Sequence, residues 1–199
     1  DLDNIIDIGC GQGYFLENLM INKKTAFGID LSAEQIKACD ERNLNAKVMD
    51  LADVQEKFDC ATAIFDVLNY IPKEDLKTFL TQVNVVLNQG AYFIFDVNSL
   101  FGFEEVAQGC ITIDVEDKFI AIDANFENNK LQTDITLFEK QENGMFSKES
   151  DSIIQEYHSK EFLTKLLKEC GFEIQEIKEF NLHTDEHADK LIFICKKTA

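Results

Sequence analysis

Apolar residues run in short unbroken blocks through the first hundred positions and then begin to alternate with polar ones. Ile5, Ile6 and Ile8 are β-branched and nearly contiguous, as in a strand buried on both faces. Residues 25–30, 45–50 and 58–66 repeat that run and predict a second, third and fourth strand. Between them, Tyr14 to Met20 predicts one helix, and the capping-box pattern of Ser32-Ala33-Glu34-Gln35 starts another that runs to about Arg42. After Pro72, Leu76, Phe79, Leu80, Val83 and Leu87 recur at helical spacing, with Gly90 the expected stop and 91–97 a fifth strand. Strands alternating with helices imply a parallel α/β sheet with right-handed crossovers.

From about Phe101 the rhythm changes. Residues 118–126 alternate, Asn128-Asn129 signals a turn, 131–138 alternate again, and Glu142-Asn143-Gly144 turns the chain into a third strand over 145–158. We expect residues 101–158 to be a small antiparallel β insertion after the fifth strand. Its aromatic residues either dock it on the core or meet a substrate. Ser159 then caps a helix that buries Phe162, Leu163, Leu166 and Leu167 and ends at Gly171. Residues 172–180 and 190–196 form two last strands. The expected organisation is a binding core over 1–100, an insertion over 101–158 that covers substrate, and a return to the core sheet over 159–199, all in one structural domain.

The chemistry gathers where the strands end. Gly9-Cys10-Gly11-Gln12-Gly13 follows the first strand and opens the first helix, so its backbone N–H groups are expected to approach a ligand. The spacing is G-x-G-x-G. Tyr14 stands where a dinucleotide site needs its last glycine, and no Walker lysine follows. Asp7 lies near the end of the first strand, and Asp30, Asp50 and Asp66 close the next three. A single terminal Asp is usually a cap or turn former. A series of them at the carboxyl edge of a parallel sheet can accept hydrogen bonds from ribose, adenine and ammonium groups.

Composition narrows the partners. The 199 residues are 45% hydrophobic, enough for a full core, and no apolar run reaches membrane-spanning length. Net charge is −18, from 37 acidic against 19 basic residues, with no basic cluster besides Lys196-Lys197. A nucleic-acid backbone requires a basic footprint, so this balance argues against an RNA or DNA substrate. Six scattered cysteines without a C-x-x-C pair suit free buried thiols and a cytoplasmic location.

Taken in order, Ile-Ile-Asp-Ile-Gly-Cys-Gly-Gln-Gly, Gly-Ile-Asp-Leu-Ser, Val-Met-Asp-Leu and Phe-Asp-Val-Leu-Asn-Tyr-Ile-Pro resemble the class I S-adenosylmethionine-dependent methyltransferases. Phe93 to Asn98 resembles that family's fifth strand. The resemblance implies a Rossmann-like, seven-stranded, mostly parallel sheet with helices on both faces and an antiparallel last strand. It also implies S-adenosylmethionine as donor, S-adenosylhomocysteine as product, and a methyl-transfer enzyme. Asp7, Gly9, Cys10 and Gly11 would hold the methionine portion, and Asp30 and Leu31 the ribose and adenine. Asp50 and Leu51 would meet the adenine edge, with Phe65 and Asp66 toward the methionine end. Relatives carry an N-terminal helical segment over the cofactor, whereas this sequence opens on its first strand, so a longer protein is expected.

The acceptor side is thinner. Asn69 and Tyr70 occupy the place where relatives often carry a histidine, and Tyr157 and His158 sit at the junction of insertion and core. His158 is the candidate base, with Asp96 and Asn98 also within reach of an acceptor. His183 and His187 flank Asp185 and Glu186, but a polar turn is the expected reading and no metal is assigned. The expected acceptor is a small molecule. The residues leave open a cofactor-binding protein without catalysis, a protein or RNA methyltransferase, and a nicotinamide enzyme, which Tyr14 disfavours.

Overall fold

The computed structural model describes residues 2–183 and 187–198. Eleven strands and four α-helices are described, besides three shorter helical turns. The strands are β1 (Ile5–Ile8), β2 (Ala26–Asp30), β3 (Ala46–Val48), β4 (Phe58–Ala63), β5 (Leu87–Asn98), β6 (Gly109–Val115), β7 (Lys118–Glu127), β8 (Lys130–Lys140), β9 (Phe146–Glu156), β10 (Phe172–Phe180) and β11 (Lys190–Lys197). The helices are α1 (Tyr14–Ile21), α2 (Ala33–Glu41), α3 (Leu76–Val86) and α4 (Lys160–Glu169). No described helix is long and apolar enough to cross a membrane.

One sheet holds seven strands in the order β10-β11-β5-β4-β1-β2-β3. β1 to β5 are parallel, and β11 enters antiparallel to both β5 and β10. The expected α/β sheet with an antiparallel last strand is therefore present. β1 is buried at all four residues, as its β-branched run requires. The chain winds outward from β1 through β2 and β3, then returns to place β4 on the other side of β1. This reversal is where an open α/β sheet leaves a crevice at its carboxyl edge. Phe93, Phe95 and Phe193 fill the middle of the core; Phe95 and Phe193 stack at 4.9 Å between centroids, which locks β11 onto β5.

Local signals mostly set the element ends. The Ser32 side chain accepts from Gln35 N at 3.3 Å and Ser159 from Phe162 N at 3.2 Å, each at the predicted helix start. Gly90 departs from expectation. α3 ends at Val86, and the chain passes directly into a long β5 in which Gly90 adopts φ +76. The β4–β5 pairing shifts from Phe58↔Leu87 to Cys60↔Tyr92 around it, so this glycine serves a bulge, not a helix stop. β3 is also shorter than expected, because Asp50 leaves the ladder to cap a turn over Leu51–Asp53.

The insertion has four strands in simple antiparallel order, β6-β7-β8-β9, where three were expected. The additional one, β6, is an edge strand exposed at all seven residues. Ile111, Ile113 and Val115 alternate along it, so its periodicity is present in the sequence. Phe103, Ala124 and Leu131 are buried beneath this sheet with Phe126 and Tyr157 against them. The expectation of buried cysteines fits Cys10, Cys39, Cys60 and Cys195, whereas Cys110 lies exposed on β6 and Cys170 is half-buried; all six are free.

Candidate cofactor site at the sheet switch point

A cavity of about 940 Å³ opens at the carboxyl ends of β1, β2 and β4. Nine of the ten residues expected to hold the cofactor line it: Asp7, Gly9, Cys10, Gly11, Asp30, Leu31, Asp50, Leu51 and Phe65. They come from four separate segments, and only the parallel pairing of β1 with its neighbours brings them to one rim. Tyr70 lines the same space.

The glycine loop is built tightly. Gly9 and Cys10 both donate their N–H groups to Ile29 O, at 2.8 and 3.0 Å, and Gly13 N donates to Cys10 O at 2.9 Å. Gly11 N donates to Asp30 Oδ2 at 2.8 Å. The expectation that these amides reach a ligand is therefore corrected: the loop uses them to bind itself and β2. At Gly11 (φ +52), which lines the cavity, a Cβ would meet nothing within 4 Å, so the missing side chain leaves open space. Close helix–strand packing, which a dinucleotide site takes from its last glycine, here comes from Gly28, where a Cβ would lie 2.3 Å from Leu16 Cδ1.

Each acid on this rim has a distinct setting. Asp7 is 2% exposed and accepts from Thr62 Oγ1 at 2.7 Å. Burial raises its carboxyl to about 7, against the Thr62 hydrogen bond and with a smaller contribution from Asp30. A carboxyl poised in this way on a cavity wall favours a cationic partner. Asp30 is fixed by two amides, Gly11 N on one oxygen and Ser32 N on the other at 2.8 Å. A carboxylate has about four acceptor positions, so two remain for ligand hydroxyls. Asp50 accepts from Ala52 N at 2.8 Å, which makes it a cap and a cavity residue at once.

Between the acids the wall is apolar. Leu31 is 74% and Phe65 68% exposed, a degree of exposure that marks such side chains as ligand surfaces when they share one concavity. Met49, Ile64, Val67 and Phe79, which sequence reasoning did not assign to the cofactor, line it as well. Their signal, an apolar residue beside a strand-ending acid or on a helix, is the same as that of any core residue.

Asp66 falls outside the cavity lining. Its carboxylate pairs with Lys190 Nζ, which also lies 2.8 Å from Asp96 Oδ2. Asp96 in turn accepts from Phe65 N at 2.7 Å and Asp66 N at 3.3 Å. Burial raises Asp66 above its ordinary value, with Lys190 partly offsetting it. Burial lowers the Lys190 ammonium, but the two carboxylates outweigh it and leave Lys190 raised. The expected contact of Asp66 with cofactor, and of Asp96 with acceptor, gives way to this buried ion cluster. Nothing in the sequence points to Lys190, which stands before an ordinary apolar run.

Three of the four expected acceptor-side residues are also structural. Asn69 is fully buried, donates Nδ2 to Glu156 O at 2.8 Å and accepts from Asn98 N at 2.9 Å, tying the wall turn to β9 and β5. His158 is 1% exposed, and its Nε2 lies 3.1 Å from Leu68 O and 3.2 Å from Ile71 O, so that nitrogen carries the proton. Burial lowers this ring below its ordinary value despite those carbonyls, keeping it neutral. Tyr157 packs edge-on against Phe103. Asn69, Tyr157 and His158 do not line the cavity, and neither does any other insertion residue. In this structure the insertion buttresses the wall turn instead of roofing it.

His183 Nδ1 lies 2.6 Å from Asp189 Oδ2, and Asp189 also accepts from Leu182 N at 2.9 Å, as in a polar turn. Asp185 and Glu186 lie outside the described residues. Among the described residues, no three metal-capable side chains converge.

The arrangement fits an adenosyl cofactor with a charged amino-acid tail: a buried acid for a cation, an amide-fixed acid for hydroxyls, and an apolar slot between them. Known proteins share the fold that carries it. A methyltransferase-domain family matches residues 5–90, from β1 into β5. A protein of Geobacillus sp. (strain WCH70), provisionally named a methyltransferase, is 23% identical over 208 residues, covering 97% of this chain and 84% of its own. A solved S-adenosylmethionine-dependent methyltransferase from Clostridium acetobutylicum ATCC 824 shares the fold with TM-score 0.84 and 23% identity, over 100% of this chain and 85% of its own. An S-adenosylmethionine-bound amino pentose methyltransferase of calicheamicin biosynthesis, from Micromonospora echinaspora, superposes with TM-score 0.74 and 16% identity, over 100% and 84%. The matched stretch is the one that builds the cavity: residues 5–90 carry a methyltransferase domain, and the whole chain has the fold of the solved S-adenosylmethionine-dependent methyltransferases.

Proposed function

We propose that this protein is an S-adenosylmethionine-dependent methyltransferase acting on a small-molecule acceptor whose nucleophile is an amine. The observation that carries this reading is the cavity, whose described lining contains no histidine. The donor supplies an electrophilic methyl on a sulfonium. The protein's task is to align the acceptor, and a neutral amine attacks with its own lone pair, so proximity does most of the work. A hydroxyl acceptor would need a base: His158 is sealed behind the wall with its proton facing carbonyls, and the cavity carboxylates Asp7, Asp30 and Asp50 are assigned to the donor.

By this reading Asp7 holds the amino group of the donor, Asp30 the ribose, and Leu31 and Phe65 the apolar faces. Asp50 accepts from the adenine edge. Tyr70, 52% exposed, stands next along the wall from Phe65 and would meet the acceptor. The cavity volume lies near the upper end of small-molecule sites, which suits a donor with a compact acceptor beside it. The resemblance to an amino pentose methyltransferase supports an amino sugar or similar amine, and the net charge of −18 suits a cationic or neutral substrate better than a polyanion.

The test is methyl transfer from labelled donor into a metabolite extract, followed by a panel of small amines, amino sugars and their hydroxyl analogues. Label incorporated into an amine, with the hydroxyl analogue inert, is the expected result. Label carried only by protein or RNA would refute the small-molecule reading.

A further inference from the structure

We infer that Lys190 is a positioning residue for the donor site: its ammonium, shared by Asp66 and Asp96, holds the turn that presents Phe65 to the cavity. This rests on the reading of the cavity as the donor's place. Phe65 and Asp66 are consecutive non-glycine residues at φ 69 and φ 65. Side chains rarely adopt this left-handed region, and the conformation persists only where surroundings impose it.

The surroundings here are one carboxylate and one ammonium. Asp96, 6% exposed, receives both amides of the turn and thereby fixes its shape. That leaves two carboxylates, Asp66 and Asp96, side by side with little solvent. Like charges so placed disfavour each other's ionisation and drive one group away or into its acid form. Lys190 removes that conflict. It begins β11 opposite Asn98, with Ile192 opposite Asp96, so it lies on the same sheet face as Asp96, two positions along. Its side chain is 15% exposed, which leaves the carboxylates as its main solvation.

The turn reaches the glycine loop as well. A Cβ at Gly9 would lie 2.9 Å from Val67 Cγ2, so Val67 already fills that space. Movement of the Phe65–Val67 segment would shift one wall of the cavity and the loop beside it together. Tyr70 borders the same cluster: burial raises its hydroxyl above the ordinary value, and the Asp66 charge adds to it. Thus a residue from the last strand, itself outside the cavity, governs the aromatic wall that the donor and acceptor share.

The test is a double-mutant cycle read by calorimetric binding of S-adenosylhomocysteine to the full chain. Lys190→Met should weaken binding about tenfold, and Lys190→Arg should recover most of that loss, since both carboxylates regain a cation. In a Phe65→Ala background Lys190→Met should cost less than about twofold, because the ring it positions is gone. Equal losses in both backgrounds, or unchanged affinity in Lys190→Met, would overturn the inference. If Lys190→Met does not fold by circular dichroism, Lys190→Gln combined with Asp66→Asn removes one charge of each sign and runs the same cycle; a loss confined to the Phe65 background supports the inference, and equal losses overturn it. If the wild type itself binds no S-adenosylhomocysteine, this inference and the donor reading fall together. Wild-type binding that Asp30→Ala weakens but Lys190→Met does not would overturn the inference alone.

Discussion

Two halves of one sheet edge carry the same local signal and put it to different uses. On the β1–β2–β3 side, Asp7, Asp30 and Asp50 line the cavity. On the β4–β5 side, Asp66 and Asp96 turn toward Lys190 and hold the backbone. All five are aspartates at or near the end of a strand. The difference is the partner: the first three face amides or a hydroxyl and an open space, while the other two share a cation from β11. An acid at a strand end therefore stays open toward the cavity only where the fold provides no other counter-charge.

The comparison can be broken or sharpened by substitution. The largest effect should come from Asp96→Ala. It leaves two turn amides and Lys190 short of a partner, and should lower unfolding free energy in urea by about 3 kcal/mol. Stability unchanged within error would remove the structural role assigned to the β4–β5 side. Asp30→Ala should act chiefly on the ligand, weakening donor binding by about 2 kcal/mol, roughly thirtyfold, as measured by calorimetry.

Asp7 yields a pH signature. Its folded value of about 7 lies above the ordinary 3.8. Between these values the folded carboxyl keeps a proton that the unfolded chain has lost, so its contribution to ligand-free stability falls as pH rises through that window. A bound ammonium favours the carboxylate instead. Donor affinity should then rise by up to about tenfold from pH 6 to pH 8, and Asp7→Asn should flatten that rise. A wild-type profile already flat would detach Asp7 from the donor's amino group. The smallest effect expected is that of Asp66→Asn, about 1 kcal/mol of stability, because Asp96 still caps the turn. Its effect on donor affinity should be smaller than that of Asp30→Ala; the reverse order would return Asp66 to the ligand side.

Most of the fold can be read along the chain because its strongest signals are local. β-branched runs, caps at Ser32 and Ser159 and the glycine loop act over a few residues, and each determines an element. The order of acids against strands predicts ten cofactor residues, of which nine line one cavity. Gly90 misleads because a positive-φ glycine looks alike after a helix and in a bulge; which it serves depends on β4 pairing across from it. β6 escapes a reading by pattern although Ile111, Ile113 and Val115 alternate, because an exposed edge strand gains its stability from its neighbour.

By itself, then, the sequence determined the sheet class, the rim where the cavity opens and the acids available to it, since each follows from short-range geometry and from residue chemistry. Tertiary structure alone decided which acids stay open to a ligand, that the loop amides are consumed by Ile29 and Asp30, that His158 faces carbonyls, and that Lys190 reaches two carboxylates far back in the chain. The physical reason is that a charge or a polar atom acquires its role from what shares its low-solvent surroundings. Those neighbours are fixed by strand order, and spacing in the chain does not record them.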